Sequence, residues 1–324
     1  MSTLITGGAG FIGGWLARAL ADAGEVVDIL DDFSRGQRDT FLDALIQTGK
    51  VRLIDSNLIE AGIDGLGTDY TTIYHFAARV GVANVLGAPF ETLRDNVLLV
   101  ERAIDLARRQ SDLDRFVFAS TSEVYAGSLE HMDFPLPTPE TTPIALTDLS
   151  APRSSYMFSK LYGEAMVLHA GIPFTILRPH NIYGPRMGMA HVIPELLRKA
   201  HEAPDGGSIE VYSVDHTRTF CFIDDAIDMM RAVAVAPTCN GETLNLGCQA
   251  PETAIGDLAR IVVDTVGKSL NIDAKPPTAG SPARRCPDMS RMTALTGREA
   301  GTSLADGIRR TYAWYDAEVL GTAT

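Results

Sequence analysis

Leu4-Ile5-Thr6-Gly7-Gly8-Ala9-Gly10-Phe11-Ile12-Gly13 runs from a short apolar segment through a glycine-dense turn into the start of a helix. Apolar residues at helical spacing follow (Trp15, Leu16, Ala19, Leu20), then Gly24 and a second apolar run, Val26-Val27-Asp28-Ile29-Leu30, ending in Asp31-Asp32. The order is strand, tight turn, helix, strand, carboxylate. Gly7 permits the turn, Gly10 lets backbone N–H groups approach a pyrophosphate, and Gly13 lets the helix lie close on the strand. The phosphates would sit at the positive end of the helix dipole, beside Phe11 and Ile12. Asp31 stands at the tip of the second strand, where a carboxylate can accept from both ribose hydroxyls. Its charge repels a 2′-phosphate, which favours NAD over NADP, although Arg35 and Arg38 nearby would suit the phosphorylated form.

Working outward, Val51-Arg52-Leu53-Ile54 reads as a third strand and Ile73–Ala78 as a fourth, running into a small-residue loop. A long helix is predicted from about Phe90 to Arg109, with Asn96 near its start. Arg115–Ala119 is a fifth strand ending in Ser120-Thr121-Ser122-Glu123, and a proline-rich loop then closes at Ser154. Tyr156 to about Ala170 reads as a helix and Phe174–Leu177 as a sixth strand. Strands alternating with helices in this way predict an α/β fold, a doubly wound parallel sheet of the Rossmann type. Ligands bind beyond the carboxyl ends of such strands, and the polar clusters fall there. After Arg178-Pro179 the alternation loosens. Isolated strands at 209–212 and 243–246 suggest a smaller mixed α/β region, so residues 1–179 read as the dinucleotide-binding part and 180–324 as an interleaved substrate-binding part.

The 324 residues suffice for such a body. A net charge of −13 excludes nucleic acid as an expected partner, because phosphate backbones need a basic face. An anionic ligand would have to be held by helix N-termini and a few placed arginines. Cys221, Cys239, Cys248 and Cys286 form no CxxC or His/Cys cluster, so no metal site is expected and reduced thiols are. No apolar run has membrane-spanning length and no signal segment opens the chain, so a cytoplasmic protein without a membrane partner is expected.

Tyr156-Met157-Phe158-Ser159-Lys160 puts a phenol and an ammonium four residues apart, on one helical face. An ammonium beside a phenol favours the phenolate, and a phenol so tuned is a general acid/base. The hydroxyl of Thr121, at a strand end, could bond the substrate oxygen that Tyr156 deprotonates. His75 reads as a strand-end core residue, and His180 as either a packing residue or one facing the substrate.

These segments together resemble the extended short-chain dehydrogenases that remodel nucleotide sugars. The resemblance rests on the glycine turn, Asp31, His75-Phe76-Ala77-Ala78, Asn96, Thr121-Ser122-Glu123-Val124-Tyr125 and Tyr156-x-x-x-Lys160, and it covers nearly the whole chain. Arg178–Arg186, Arg218–Asp225 and Arg284–Asp288 resemble that family's later landmarks. The resemblance implies bound NAD held by Gly7, Gly10, Phe11, Ile12, Gly13, Asp31, Asp32, Ser34, Asn57, Leu58, Ala77, Ala78, Asn96, Tyr156 and Lys160. Asn57-Leu58 stands where the family has Asp plus an apolar residue against the adenine, and Asn57 could still accept from the exocyclic amine. It further implies a nucleotide-diphosphate sugar, UDP-linked by expectation, contacted by Ser122, Asn181, His191, Val192, Arg218 and Arg285. Relatives are commonly homodimers joined through the helices near 90–109 and 156–170.

The shared first step so implied is oxidation at sugar C4, with Tyr156 taking the hydroxyl proton, Lys160 holding the cofactor ribose and Thr121 polarising the C4 oxygen. Glu123 then bears on the outcome. A 4-ketone turns a C6 carboxylate into a β-keto acid, and Thr-Ser-Glu-Val-Tyr is similar to the segment in UDP-glucuronate decarboxylases. Decarboxylation is the first expectation, 4-epimerisation the second and 4,6-dehydration the third. A catalytically silent dinucleotide sensor is the rival from another class, and intact Thr121, Tyr156 and Lys160 weigh against it.

Overall fold

The computed structural model describes residues 2–132, 134, 136–277 and 282–321. β1 (Ser2–Thr6), α1 (Phe11–Asp22) and β2 (Val26–Asp31) form where the opening stretch predicts them. α2 (Thr40–Gln47) is capped by the Asp39 carboxylate, which accepts from the Leu42 N–H, and leads into β3 (Val51–Asp55). β4 (Thr72–His75), the short α3 (Val82–Gly87), α4 (Pro89–Arg108) and β5 (Arg115–Ala119) follow. Pro89 suits the first turn of α4, where its missing N–H would have had no partner. A 3-10 turn at Ser122–Tyr125 and α5 (Ala126–His131) begin the proline-rich loop, and α6 (Ser154–Leu168) and β6 (Phe174–Pro179) end this half.

Seven strands pair in parallel. The order is Glu242–Leu246, β6, β5, β4, β1, β2, β3. The winding reverses between β1 and β4, so the crevice lies beyond their carboxyl ends. One face of the sheet is covered by α1 and by α8 (Ile223–Val235), which follows α7 (Val192–Glu202); the other is covered by the paired α4 and α6. Strands sandwiched this way are buried on both sides, and every residue of β4 and all of β5 but Ala119 are buried.

The run 243–246 is no isolated strand but the edge of the main sheet, where Leu244 and Leu246 are fully buried against β6 and the flanking helices. The fourth strand stops at His75 and not at Ala78, because the chain there turns beneath Gly7. A β-carbon on Gly7 would lie 2.6 Å from the Ala77 nitrogen.

Beyond β6 the small strands do the positioning. Thr217–Arg218 pairs with Thr253–Ala254 on one side and Arg284–Arg285 on the other, which sets Arg218 directly opposite Arg285. Among the described residues, no helix is long and apolar enough to cross a membrane, and no group of three His, Cys, Asp or Glu could hold a metal ion.

Candidate active site

The cofactor end is built by backbone geometry. Gly7 adopts φ +73°, and a β-carbon on Gly13 would lie 2.6 Å from the Gly7 carbonyl oxygen. Only glycine therefore lets α1 start against the turn. α1 begins on Gly10 with no side-chain cap and no acidic residue in its first turn, so the N–H groups around Phe11 and Ile12 offer an uncontested anion site. Asp31 closes the loop: its carboxylate accepts from Ala9 N–H at 2.9 Å and Phe33 N–H at 3.0 Å. Burial raises its pKa, and those two N–H bonds oppose the shift. Asp32 accepts from Ser34 N–H and from the Asn57 amide at 2.8 Å. An open helix start and a carboxylate one strand away fit a dinucleotide.

Asn57 is used differently from the expectation. Its oxygen already accepts from Ile59 and Glu60 N–H, so the side chain staples its own loop and is poorly free to meet an adenine amine. Leu58 beside it is buried under β1 and β2. Ala77 and Ala78 lie in the coil after β4. Asn96 fixes that coil by accepting from Arg79 N–H at 2.7 Å and donating to the Arg79 carbonyl and to Ser159 Oγ on α6.

The reacting groups meet where β5 ends and α6 begins. Thr121 caps the 3-10 turn by accepting from Glu123 N–H at 3.2 Å, and its hydroxyl also reaches Tyr156. Burial and the Glu123 charge raise the Tyr156 pKa; Thr121 and Arg35 act against them. Lys160 lies on the same face of α6. Its ammonium donates to the Ala119 carbonyl at 2.7 Å and lies 5.0 Å from the centre of the Phe118 ring. Burial depresses Lys160 itself to about 8, with Glu164 opposing.

Charge continues along the cleft. Arg153 donates to Glu123 at 3.2 Å, and the fields of both are felt by Arg285. Arg285 in turn acts on Arg218, whose pKa burial lowers to about 10. Arg218, Asn181 and Val192 line a cavity of about 280 Å³ together with His216, Phe220 and Ile255. Asn181 holds φ +42° and donates to the Thr219 carbonyl. His191 stands at the start of α7 beside that cavity, its pKa lowered by burial and then by Arg35. Ser122 is buried in the 3-10 turn. The order along the cleft is the cavity, two arginines, a carboxylate, then a phenol.

Other candidates fall outside it. Arg178 is spent in a buried bidentate pair with Glu164, at 2.9 and 2.7 Å. Arg186 clamps the glycine turn, donating at 2.9 Å to both the Ala9 and Gly10 carbonyls and pairing with Asp39. His75 is fully buried, bonded to Thr6 and stacked beside Phe116 and Phe118, and burial pushes its pKa down to about 3. His180 packs against Tyr125 and bonds Asn245. Sequence reasoning missed Arg153. Its place three residues before Tyr156, at a helix start, was the available signal.

The profile of the NAD dependent epimerase/dehydratase family matches residues 3–247. The chain is 28% identical over 317 residues to UDP-glucuronic acid decarboxylase 1 of Arabidopsis thaliana, covering 95% of this chain and 68% of that protein. It is 29% identical over 326 residues to UDP-N-acetyl-alpha-D-glucosaminuronate decarboxylase of Bacillus cytotoxicus, covering 96% and 97%. Among solved structures, UDP-glucuronic acid 4-epimerase from Bacillus cereus, in complex with UDP-glucuronic acid and NAD, superposes with a TM-score of 0.83 at 26% identity, over 98% of this chain and 99% of that one.

Proposed function

Because this chain belongs to the NAD dependent epimerase/dehydratase family, we propose that it decarboxylates a UDP-linked uronate by way of a 4-keto sugar. The observation that carries the reading is Glu123, a carboxylate bonded to Arg153 whose field reaches both Tyr156 and Arg285, which supports its lying beside the hexose. The nucleotide occupies the cavity of Asn181, Val192 and Arg218, with His191 at its mouth, and the diphosphate lies on Arg218 and Arg285. Residues 1–179 then hold mainly the cofactor and 180–324 mainly the sugar nucleotide, interleaved through the edge strand.

When bound, NAD supplies the hydride acceptor for C4, the donor for its later return, and a positive charge that favours the Tyr156 phenolate. The remaining work belongs to the chain. Tyr156 Oη takes the C4 hydroxyl proton while Thr121 Oγ1 bonds the same sugar oxygen. In the resulting β-keto acid the C5–C6 bond breaks, CO₂ leaves, and the electron pair passes to the C4 oxygen as an enolate. Tyr156 holds its proton against that oxygen, and Glu123 is the carboxylate placed to take up a proton from solvent and pass it to C5. Lys160 secures the cofactor ribose from the floor of the site.

The protein acts as a homodimer through α4 and α6, on which Phe90, Tyr162 and Leu168 are exposed large apolar residues. Four free cysteines suit a reducing, cytoplasmic setting. Incubation of the NAD-loaded protein with UDP-glucuronate tests the reading. Release of CO₂ with formation of a UDP-pentose supports it. Conversion to UDP-galacturonate assigns 4-epimerisation instead, and inertness toward every nucleotide sugar assigns a silent dinucleotide sensor.

A further inference from the structure

We propose that Arg153 is the specificity residue for the sugar's C6 carboxylate, and that Glu123 is its resting partner, released when a uronate binds. The inference rests on the uronate reading above.

The arginines of this protein differ in how many of their donors are used. Arg178 fills its guanidinium with both oxygens of Glu164 and with the Tyr125 hydroxyl. Arg186 is equally occupied by two loop carbonyls and Asp39, and Arg218 by the carbonyls of Thr217, Pro282 and Ala283. Arg153 makes one hydrogen bond, to Glu123, and Arg285 makes none among the described residues. A planar fork with five donors that holds a single bond is poised for a planar two-oxygen ligand.

Three cations near the reacting groups are underused: Arg153, Arg285 and Arg35, which makes no hydrogen bond among the described residues and whose charge is felt by Tyr156 and His191. A UDP-uronate carries two anionic centres, the diphosphate and the carboxylate, and a neutral hexose nucleotide carries only the first. Arg285, opposite Arg218 in register, lies with the diphosphate. Arg35 belongs to the loop after Asp31, on the cofactor side, which leaves Arg153 for the second centre. It stands at the start of α6, three residues before Tyr156, so a sugar whose C4 oxygen meets the phenol brings C6 toward it. The helix N-terminus favours an anion there as well.

The resting pair is easily exchanged. The two side chains are 40% and 24% exposed, and ion pairs this open to water hold weakly. A substrate carboxylate that takes both forks of Arg153 replaces one bond with two and leaves Glu123 free beside C5.

Calorimetric titration of the NAD-loaded protein with UDP-glucuronate and with UDP-glucose decides the matter. The wild type should hold UDP-glucuronate more tightly. Arg153→Gln should weaken UDP-glucuronate on the order of 10- to 100-fold and leave UDP-glucose within about 2-fold. Glu123→Gln, which frees Arg153, should tighten UDP-glucuronate binding, and this arm stands even if Arg153→Gln fails to fold. A preference for UDP-glucuronate that survives Arg153→Gln, equal loss for both sugars, or no tightening in Glu123→Gln overturns this inference alone. A wild type that does not distinguish the two sugars overturns the uronate reading and this inference together.

Discussion

Tyr156 sits under opposing influences: burial and Glu123 keep its proton on, while Thr121 and Arg35 ease it off. Tyr156→Phe should reduce turnover by about 10³-fold or more, since proton transfer at this position has no substitute, and should leave NAD affinity within about 3-fold. Unchanged turnover measured by product formation would remove Tyr156 from the mechanism. Lys160 supplies the pH dependence. Its ammonium, depressed to about 8, is present below that pH and lost above it, so NAD affinity should fall as pH rises through about 8. Titration of NAD binding between pH 7 and 9 should show that fall, and Lys160→Met should abolish the dependence. The glycine positions were legible in the sequence because their demands are local: a positive φ at Gly7 and a close approach at Gly13 follow from neighbours a few residues away. The position of Arg153 before Tyr156 was visible but its pairing was not, because its partner Glu123 lies thirty positions back, across a loop whose path no spacing rule predicts.

At the scale of elements, β6 is tied to α6 by the Arg178–Glu164 pair, whose side chains are 8% and 7% exposed. Removing one partner of a buried pair leaves a charge stranded in low dielectric. Glu164→Gln should therefore cost about 3–5 kcal/mol of stability, read from the shift in urea midpoint, and a cost below 1 kcal/mol would show that water reaches Arg178. The pair sits under Tyr156 and Lys160 on the same helix, so it also sets the angle from which the reacting groups leave α6. The long helices were legible from their apolar period. The strand at Glu242–Leu246 was legible as a strand but not as a neighbour of β6, since its place depends on α8 first folding back across the sheet against α1.

For the molecule as a whole, two histidines fix the response to acid. Burial pushes His75 and His180 down to about 3, so the folded protein binds fewer protons than the unfolded chain between about 6.5 and 3. Stability is then fully present above about 6.5 and is lost as pH falls toward 3, by about 2.5 kcal/mol per histidine between pH 7 and 4.5. Denaturation curves at pH 7 and 4.5 should show the difference, and His75→Gln should reduce it. Light scattering should return about twice the 34.9 kDa chain mass, and a monomer would remove α4 and α6 as an interface. The doubly wound sheet and the phosphate end of its crevice were readable from alternation and glycine spacing alone. The sugar end was readable only as a list of residue types, because its geometry arises where the loop before α6 meets the strand pair of Arg218 and Arg285. The central claim is that C4 lends its hydride and receives it back while Tyr156 handles the proton. Turnover of UDP-glucuronate deuterated at C4 tests this most directly. A slowed chemical step and a product that keeps deuterium at C4 are the predicted result; a product with that label washed out, or turnover indifferent to it with C4 never oxidised, would contradict it.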